Sequence, residues 1–261
     1  MKYSPVRIFL MIAALLLLSG MAYAQDSSCE QGDFQCKVDA ATRRISANTN
    51  DIEAYYDRAQ ASYRLGDADG AIADYSKYIS LKPSKAEYLS DGYAGRADSY
   101  RKKGNITMAM ADYNRAIATA PTNVSGYIGR GNAYVEQKNY AAALTDFNKA
   151  VSIAPDNAET YYGRARVYQR QMNWNAAILD FDKYISMKTG DDAYLSDGYY
   201  ARGSCYFSKQ NYPQAVNDYT KAIELHPTAA MYKDRAAAYR KLGKTALATA
   251  DEQEATQIGN Q

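Results

Sequence analysis

Six arginines set the frame of this chain. Arg58, Arg96, Arg130, Arg164, Arg202 and Arg235 each stand three places after a tyrosine, namely Tyr55, Tyr93, Tyr127, Tyr161, Tyr199 and Tyr232. The motif returns about every 34 residues, an interval that suits one repeated helix pair. Directly after each arginine comes a small residue (Ala59, Ala97, Gly131, Ala165, Gly203, Ala236), and twelve residues further on stands an alanine: Ala71, Ala109, Ala143, Ala177, Ala215 or Ala248. Small residues at two fixed places let two helix backbones approach closely, as interior packing density demands. Apolar residues at helical spacing, such as Ala143, Leu144, Phe147, Ala150 and Val151, complete each second helix, and Pro83, Pro121, Pro155 and Pro227 stop four of them. Each unit reads as helix, turn, helix.

With its leading aromatic, its small residue, its interior alanine, an aromatic four places later and a closing proline, the pattern resembles the tetratricopeptide repeat. The resemblance implies an all-α, right-handed α-solenoid of six helix pairs over residues 51–258, with repeats near 52–85, 90–123, 124–157, 158–191, 196–228 and 229–258. Residues 25–50 are expected to form an N-terminal cap segment. Within it Val38, Ala41 and Ile45 share one face of a helix that would cover the open first repeat, as solenoid ends require. At the other end Glu252, Gln253 and Glu254 give the last helix a polar outer face.

The chain departs from the family pattern in one respect. Arginine replaces the usual leucine in every copy, and an aspartate follows the interior alanine by three places: Asp74, Asp112, Asp146, Asp180, Asp218 and Asp251. If the small residues face each other across antiparallel helices, arginine and aspartate lie at similar height. A structural ladder of ion pairs is therefore expected, and the sequence leaves open whether its rungs lie within repeats or between neighbours.

Spacings between successive arginines are 38, 34, 34, 38 and 33, and the two long intervals share a linker: Tyr88-Leu89-Ser90-Asp91-Gly92-Tyr93 and Tyr194-Leu195-Ser196-Asp197-Gly198-Tyr199. The segment Asp74 to Ser80 likewise recurs at Asp180 to Ser186, with Tyr78 and Tyr184 where other repeats carry alanine. A three-repeat block has been duplicated at an offset of 106 residues. The added residues either lengthen a helix by a turn or widen a turn between helices, and they serve either packing or a duplicated binding site.

Lys2 and Arg7 precede an apolar run from Ile8 to Leu18, and Ala22-Tyr23-Ala24 supplies a small-x-small cleavage pattern, so residues 1–24 read as a secretory signal peptide. The expected destination is the periplasm or the exterior. The run is too short for a comfortable membrane span, and no later segment approaches one. Without Lys2 and Arg7 the remaining basic and acidic residues balance, which gives no support to a nucleic-acid partner. In an exported chain Cys29 and Cys36 are expected to close a small disulfide loop, the alternative being a leader with two free thiols. Cys205 falls on the packing side of a helix and reads as a small buried residue.

His226 is the one histidine, so a Cys/His dyad or a His/Cys metal site lacks its parts, and no glycine-rich phosphate loop occurs. Asp191-Asp192 is too short an acidic pair to make a cation site. No catalytic residue, metal or cofactor is expected. The sequons at Asn105 and Asn123 would matter only in a eukaryotic secretory pathway.

What remains is a surface. In the family it resembles, first helices line a concave groove, and the matching positions here are Tyr56, Tyr63 and Arg64; Arg101; Asn132; Tyr162, Arg166 and Arg170; Tyr200 and Phe207; and Arg240. The set lacks the repeated lysine and asparagine by which some members clamp a terminal carboxylate. Tyrosine beside arginine offers contact area at low entropy cost. The expected function is a non-enzymatic scaffold that binds an extended peptide or partner protein. The alternatives are a glycan or cell-wall binder using Tyr56, Tyr162, Tyr200 and Phe207 as stacking platforms, and a structural spacer.

Overall fold

A computed structural model describes residues 29–30, 32–188 and 193–259. The expected leader at 1–24 and the pair Asp191-Asp192 lie outside the described residues. Among the described residues every regular element is a helix. Helix α1 spans Phe34–Ala47 and is followed by α2 Ile52–Leu65, α3 Ala68–Ser80, α4 Ala86–Lys102, α5 Ile106–Thr119, α6 Val124–Glu136 and α7 Tyr140–Ile153. Then come α8 Ala158–Arg170, α9 Trp174–Met187, α10 Ala193–Ser208, α11 Tyr212–Leu225, α12 Ala229–Lys241 and α13 Thr245–Gly259. The described residues form two compact units, unit 1 ending at Arg130 and unit 2 beginning at Gly131.

The turn inside each repeat has one design. Its last residue but one is left-handed, at Gly66, Gly104, Lys138, Met172, Gln210 and Gly243, with φ between 59° and 92°. The next residue caps the second helix: the side chains of Asp67, Asn105, Asn139, Asn173 and Asn211 accept hydrogen bonds from the amides of Gly70, Met108, Ala142, Ala176 and Gln214. The second helices α3, α5, α7 and α11 end at Ser80, Thr119, Ile153 and Leu225, just ahead of their prolines.

Packing within each unit follows the small residues. In unit 1 the rings of Tyr75 and Tyr113 are buried, and a Cβ at Gly95 or Gly129 would collide with them. In unit 2 Phe147 lies between Gly131 of its own repeat and Gly163 of the next, and a Cβ at Gly131 would stand 3.1 Å from the ring. Glycine one place before the arginine thus lets a first helix ride directly over the aromatic ring of the preceding repeat.

The longer linkers lengthen helices rather than turns. Helices α4 and α10 have 17 and 16 residues, against 13 in α8 and α12. In unit 1 the Tyr78 hydroxyl donates to the Tyr88 carbonyl at 3.0 Å, and Ser90 Oγ donates to the Ala116 carbonyl at 3.0 Å. In unit 2 Tyr184 donates to the Tyr194 carbonyl at 2.9 Å and Ser196 to the Ala222 carbonyl at 2.8 Å. Gly92 and Gly198 clear the space that the two tyrosine rings fill. The extra turn and the bulky tyrosine are one packing solution, used twice.

Helix α1 packs on α2 through Ala40 and Ala41, both fully buried, with Val38 and Ile45 half-buried. Its buried Arg44 donates through Nε and Nη2 to Asp51 at 3.1 Å and through Nη1 to Asp57 at 2.8 Å. Cys29 and Cys36 are joined by a disulfide. Cys205 is wholly buried, and burial pushes its thiol up to about 12, so it stays a neutral packing group.

Candidate functional site

The arginines form paired, fork-like contacts within repeats. Nε and Nη2 of Arg58 donate to the two carboxylate oxygens of Asp74, both at 2.7 Å. Arg96 holds Asp112 at 2.7 and 3.1 Å, Arg164 holds Asp180 at 2.7 and 2.8 Å, and Arg235 holds Asp251 at 2.9 and 2.7 Å. Arg202 and Asp218 pair in the same way. The guanidiniums also sit 5.4 to 5.8 Å from the rings of Tyr55, Tyr93, Tyr161, Tyr199 and Tyr232 three places earlier, which accounts for the tyrosine in the motif. For Arg58, Arg164 and Arg235 the hydrogen bond to the aspartate holds the guanidinium further above its ordinary pKa; for Arg96 and Arg202 burial works against the charge and the aspartate outweighs it.

The third nitrogen, Nη1, reaches back to the element before. Its acceptors are Thr42 for Arg58, Ser76 for Arg96, Asn114 for Arg130, Asn148 for Arg164, Asp182 for Arg202 and Thr220 for Arg235, at 2.6 to 3.2 Å. Each of the last five acceptors stands two residues after a ladder aspartate position. That polar residue is a signal the sequence reading passed over. The rungs of Arg58, Arg96, Arg164, Arg202 and Arg235 each tie a helix pair together and fasten it to the element before.

The expected groove positions divide into packed and open residues. In unit 1 the Tyr56 ring packs on Tyr75 and Tyr78 with centroids 5.8 and 5.0 Å apart, and burial raises its hydroxyl pKa. Arg101 belongs to an internal network: it donates to Asp98 at 3.1 Å and to the Tyr113 hydroxyl at 3.2 Å, while that hydroxyl donates to Asp98 at 2.6 Å. Lys102 Nζ lies 4.6 Å from the Tyr63 ring centroid, and Arg64 is exposed. In unit 2 Tyr162 packs on Phe181 and Tyr184, and Phe207 on Tyr212, while the Tyr200 hydroxyl donates to Asp234 at 2.6 Å. Asn132 is half-buried, Arg166 and Arg170 are exposed, and the exposed Arg240 pairs with Glu252. The four aromatic rings offered as stacking platforms are all engaged with neighbours, which leaves Arg64, Arg166 and Arg170 as the open part of the set.

Unit 1 also holds a cleft of about 810 Å³ that the sequence reading did not find. Helix α1 supplies Arg44, α2 supplies Ile52, Glu53, Tyr56 and Asp57, α3 supplies Tyr78, and α4 supplies Tyr88 and Asp91. Lys82, Pro83 and Ser84 complete the wall. Arg44 is committed to Asp51 and Asp57, and Asp91 accepts from Asn123 at 2.8 Å and Ser125 at 3.0 Å. Tyr88 is 49% exposed; its backbone carbonyl accepts from Tyr78, and Lys85 Nζ lies 5.1 Å from its ring centroid. Among the described residues no group of His, Cys, Asp and Glu could hold a metal ion, and no helix is long and apolar enough to cross a membrane.

Comparison with known proteins gives these contacts a context. Models described as TPR repeat match residues 97–138 and 131–171, and models described as tetratricopeptide repeat match 52–85 and 196–228, together more than half of the chain. Over 86 residues the chain is 33% identical to the Protein SGT1 homolog of Oryza sativa subsp. japonica, covering 33% of this chain and 20% of that protein. The chain thus spans about a fifth of the length of that curated relative. Among solved structures, a tetratricopeptide repeat protein from Parabacteroides merdae superposes with a TM-score of 0.63 at 22% identity, over 95% of this chain and 94% of that one. The APC/C hetero-tetramer Cut9-Hcn1 contains a chain that superposes with a TM-score of 0.74 at 14% identity, over 94% of this chain and 45% of that one. At those identities the likeness establishes the helix-pair fold.

Proposed function

From the premise that this chain is built of tetratricopeptide repeats, proteins that generally mediate protein–protein interactions, we propose that it is a non-enzymatic scaffold whose first helices bind a polypeptide segment. The observation that carries this reading is the division of labour among the arginines. Ladder arginines are spent on aspartates inside the structure, whereas Arg64 on α2 and Arg166 and Arg170 on α8 are exposed on the first helices. Second-helix positions such as Ala118 and Lys149 are exposed too, and the exposed second-helix arginine Arg115 is paired with Asp112.

The place of action is proposed to be outside the cytoplasm, after removal of residues 1–24. The disulfide between Cys29 and Cys36 supports an oxidising compartment. The six repeat boundaries read from the sequence, and the role of 25–50 as a cap, are kept as part of this proposal.

Site-specific photo-crosslinking tests it. Crosslinkers placed at Arg64 and Arg166 should give polypeptide adducts in the producing cell, and crosslinkers at Ala118 and Lys149 should not. Adducts only from the second helices would overturn the assignment of the binding face. Adducts made of carbohydrate would replace it with the wall-binding reading.

A further inference from the structure

The duplication has copied more than the core. At an offset of 106 residues, Glu53, Tyr56, Tyr78, Lys82, Tyr88 and Asp91 of the unit 1 cleft become Glu159, Tyr162, Tyr184, Lys188, Tyr194 and Asp197 of unit 2. Burial explains Tyr78 and Tyr184. It does not explain Tyr88 and Tyr194, which are 49% and 53% exposed, each giving its backbone carbonyl to a core tyrosine and its ring to a lysine. Nor does it explain the exposed Glu53 and Glu159.

Unit 2 shows what such a set can hold. Lys188 Nζ stands 5.4 Å from the centroids of both Tyr184 and Tyr194 and 2.7 Å from Glu159 Oε1. One ammonium is held by two tyrosine rings and a carboxylate, the arrangement that cation–π attraction and a charge-assisted hydrogen bond favour. In unit 1 the counterpart lysine, Lys82, does not take that place, and Lys85 contacts one of the two rings alone. Lys82 has φ +56°, where Lys188 is extended at φ −83°, and Lys82 is exposed with no ring or carboxylate contact among the described residues. The corresponding corner opens instead onto the cleft. Glu53 approaches Arg44 only to 3.9 Å and is 78% exposed, so its charge is available. Lys85 lies 5.1 Å from the Tyr88 ring without lining the cleft.

We infer that Tyr78, Tyr88 and Glu53 form a receptor for a lysine ammonium of the bound polypeptide, with Lys188 in unit 2 as the built-in example of its occupied form. The ligand class rests on the protein-binding reading above; the cage geometry does not.

A titration followed by nuclear magnetic resonance tests it on the intact protein. The probe is a blocked pentapeptide with one lysine among glycines, beside the same peptide acetylated on Nζ. The lysine peptide should shift signals of Tyr78 and Tyr88, the acetylated one should not, and Tyr88→Ala and Glu53→Gln should each weaken binding about fivefold. Both positions are exposed, so the fold should persist, and Glu224→Gln, an exposed carboxylate of the other unit, serves as a control. Lys188→Ala empties the cage of unit 2 and should add a second binding event at Tyr194. Equal binding of the acetylated peptide, no binding of the lysine peptide, or indifference to Tyr88→Ala and Glu53→Gln would overturn the receptor. Polypeptide adducts at Arg64 combined with any of those results would leave the protein-binding reading standing. Lysine binding without polypeptide adducts would overturn that reading instead.

Discussion

Arg202 holds Asp218 with two nitrogens, Nε on Oδ2 at 2.8 Å and Nη2 on Oδ1 at 2.7 Å, and uses its third to reach Asp182 at 2.6 Å. A bidentate contact between planar groups fixes orientation as well as distance. Because Asp218 is 1% exposed while Asp182 is 45% exposed, the two contacts differ in kind;. The first joins the helices of one repeat where little water competes. The second links neighbouring repeats near the surface, where screening weakens it.

Burial should separate two ion pairs of equal length. Arg164 and Arg115 each approach an aspartate to 2.7 Å, but Arg164 is 17% exposed and Arg115 is 55% exposed. Arg164→Ala leaves Asp180 buried without its partner and should cost about 3 to 5 kcal/mol. Arg115→Ala leaves the buried Asp112 held by Arg96 and should cost about 0 to 1 kcal/mol. Thermal and urea unfolding of both variants measure the difference.

Met172 carries a backbone strain that Gly66, Gly104 and Gly243 avoid at the matching turn position. Its φ is +59° and its side chain is 73% exposed, so little packing offsets the left-handed geometry. Relieving that geometry gains about 1 to 2 kcal/mol, and glycine's freedom in the unfolded chain returns about 0.4 to 1. Met172→Gly should therefore raise stability by about 0 to 1.6 kcal/mol, read as a higher Tm with an unchanged m-value.

Thr160 is fully buried in α8, and its hydroxyl has no hydrogen-bond partner among the described residues. A buried polar group without a partner costs about 1 to 3 kcal/mol. Valine has nearly the same shape and the same branched χ1 preference. Thr160→Val should stabilise the protein by about 1 kcal/mol in denaturant unfolding, and a loss of stability would mean that the hydroxyl is satisfied in solution.

Alkaline pH should unfold the protein through its tyrosines. Burial raises the hydroxyl pKa of Tyr75, Tyr78, Tyr113, Tyr200 and Tyr219 above the ordinary tyrosine range. In the unfolded chain these groups lose protons near pH 10, while the folded protein retains them. The folded state thus binds more protons, and stability present below about pH 10 falls as pH rises toward the elevated folded values. Each such tyrosine steepens the fall by up to about 1.4 kcal/mol per pH unit. Urea midpoints from pH 8 to 11.5, read beside tyrosinate absorbance at 295 nm, should drop together with ionisation.

Much of this architecture was legible from spacing. Tyrosine, arginine, small residue and alanine recur in phase because every repeat solves the same packing problem. The choice between rungs within and between repeats was not legible, since one guanidinium with three nitrogens does both. The back-reaching contact had a trace in Ser76, Asn114, Asn148, Asp182 and Thr220, polar residues two places after the aspartates. Gly95, Gly129 and Gly163 were easily passed over because their importance lies in a ring of the preceding repeat. Groove positions transferred from the family pattern located first-helix residues but not their exposure, which depends on which rings pack beneath them. The cleft of unit 1 draws on α1, α2, α3 and α4 at once, Arg44 has no counterpart at the 106-residue offset, and the pairing of Glu53 with Glu159 shows only when the two halves are aligned.

The most direct test of the account is a double-mutant cycle on the rungs, because the fastened stack of helix pairs is what presents the first-helix surface. Arg202→Ala, Asp218→Ala and Asp182→Ala are compared singly and in pairs by equilibrium unfolding. The account predicts a coupling between Arg202 and Asp218 of about 2 kcal/mol or more, and one between Arg202 and Asp182 below about 1 kcal/mol. Additive effects for both pairs, within about 0.3 to 0.5 kcal/mol, would contradict it.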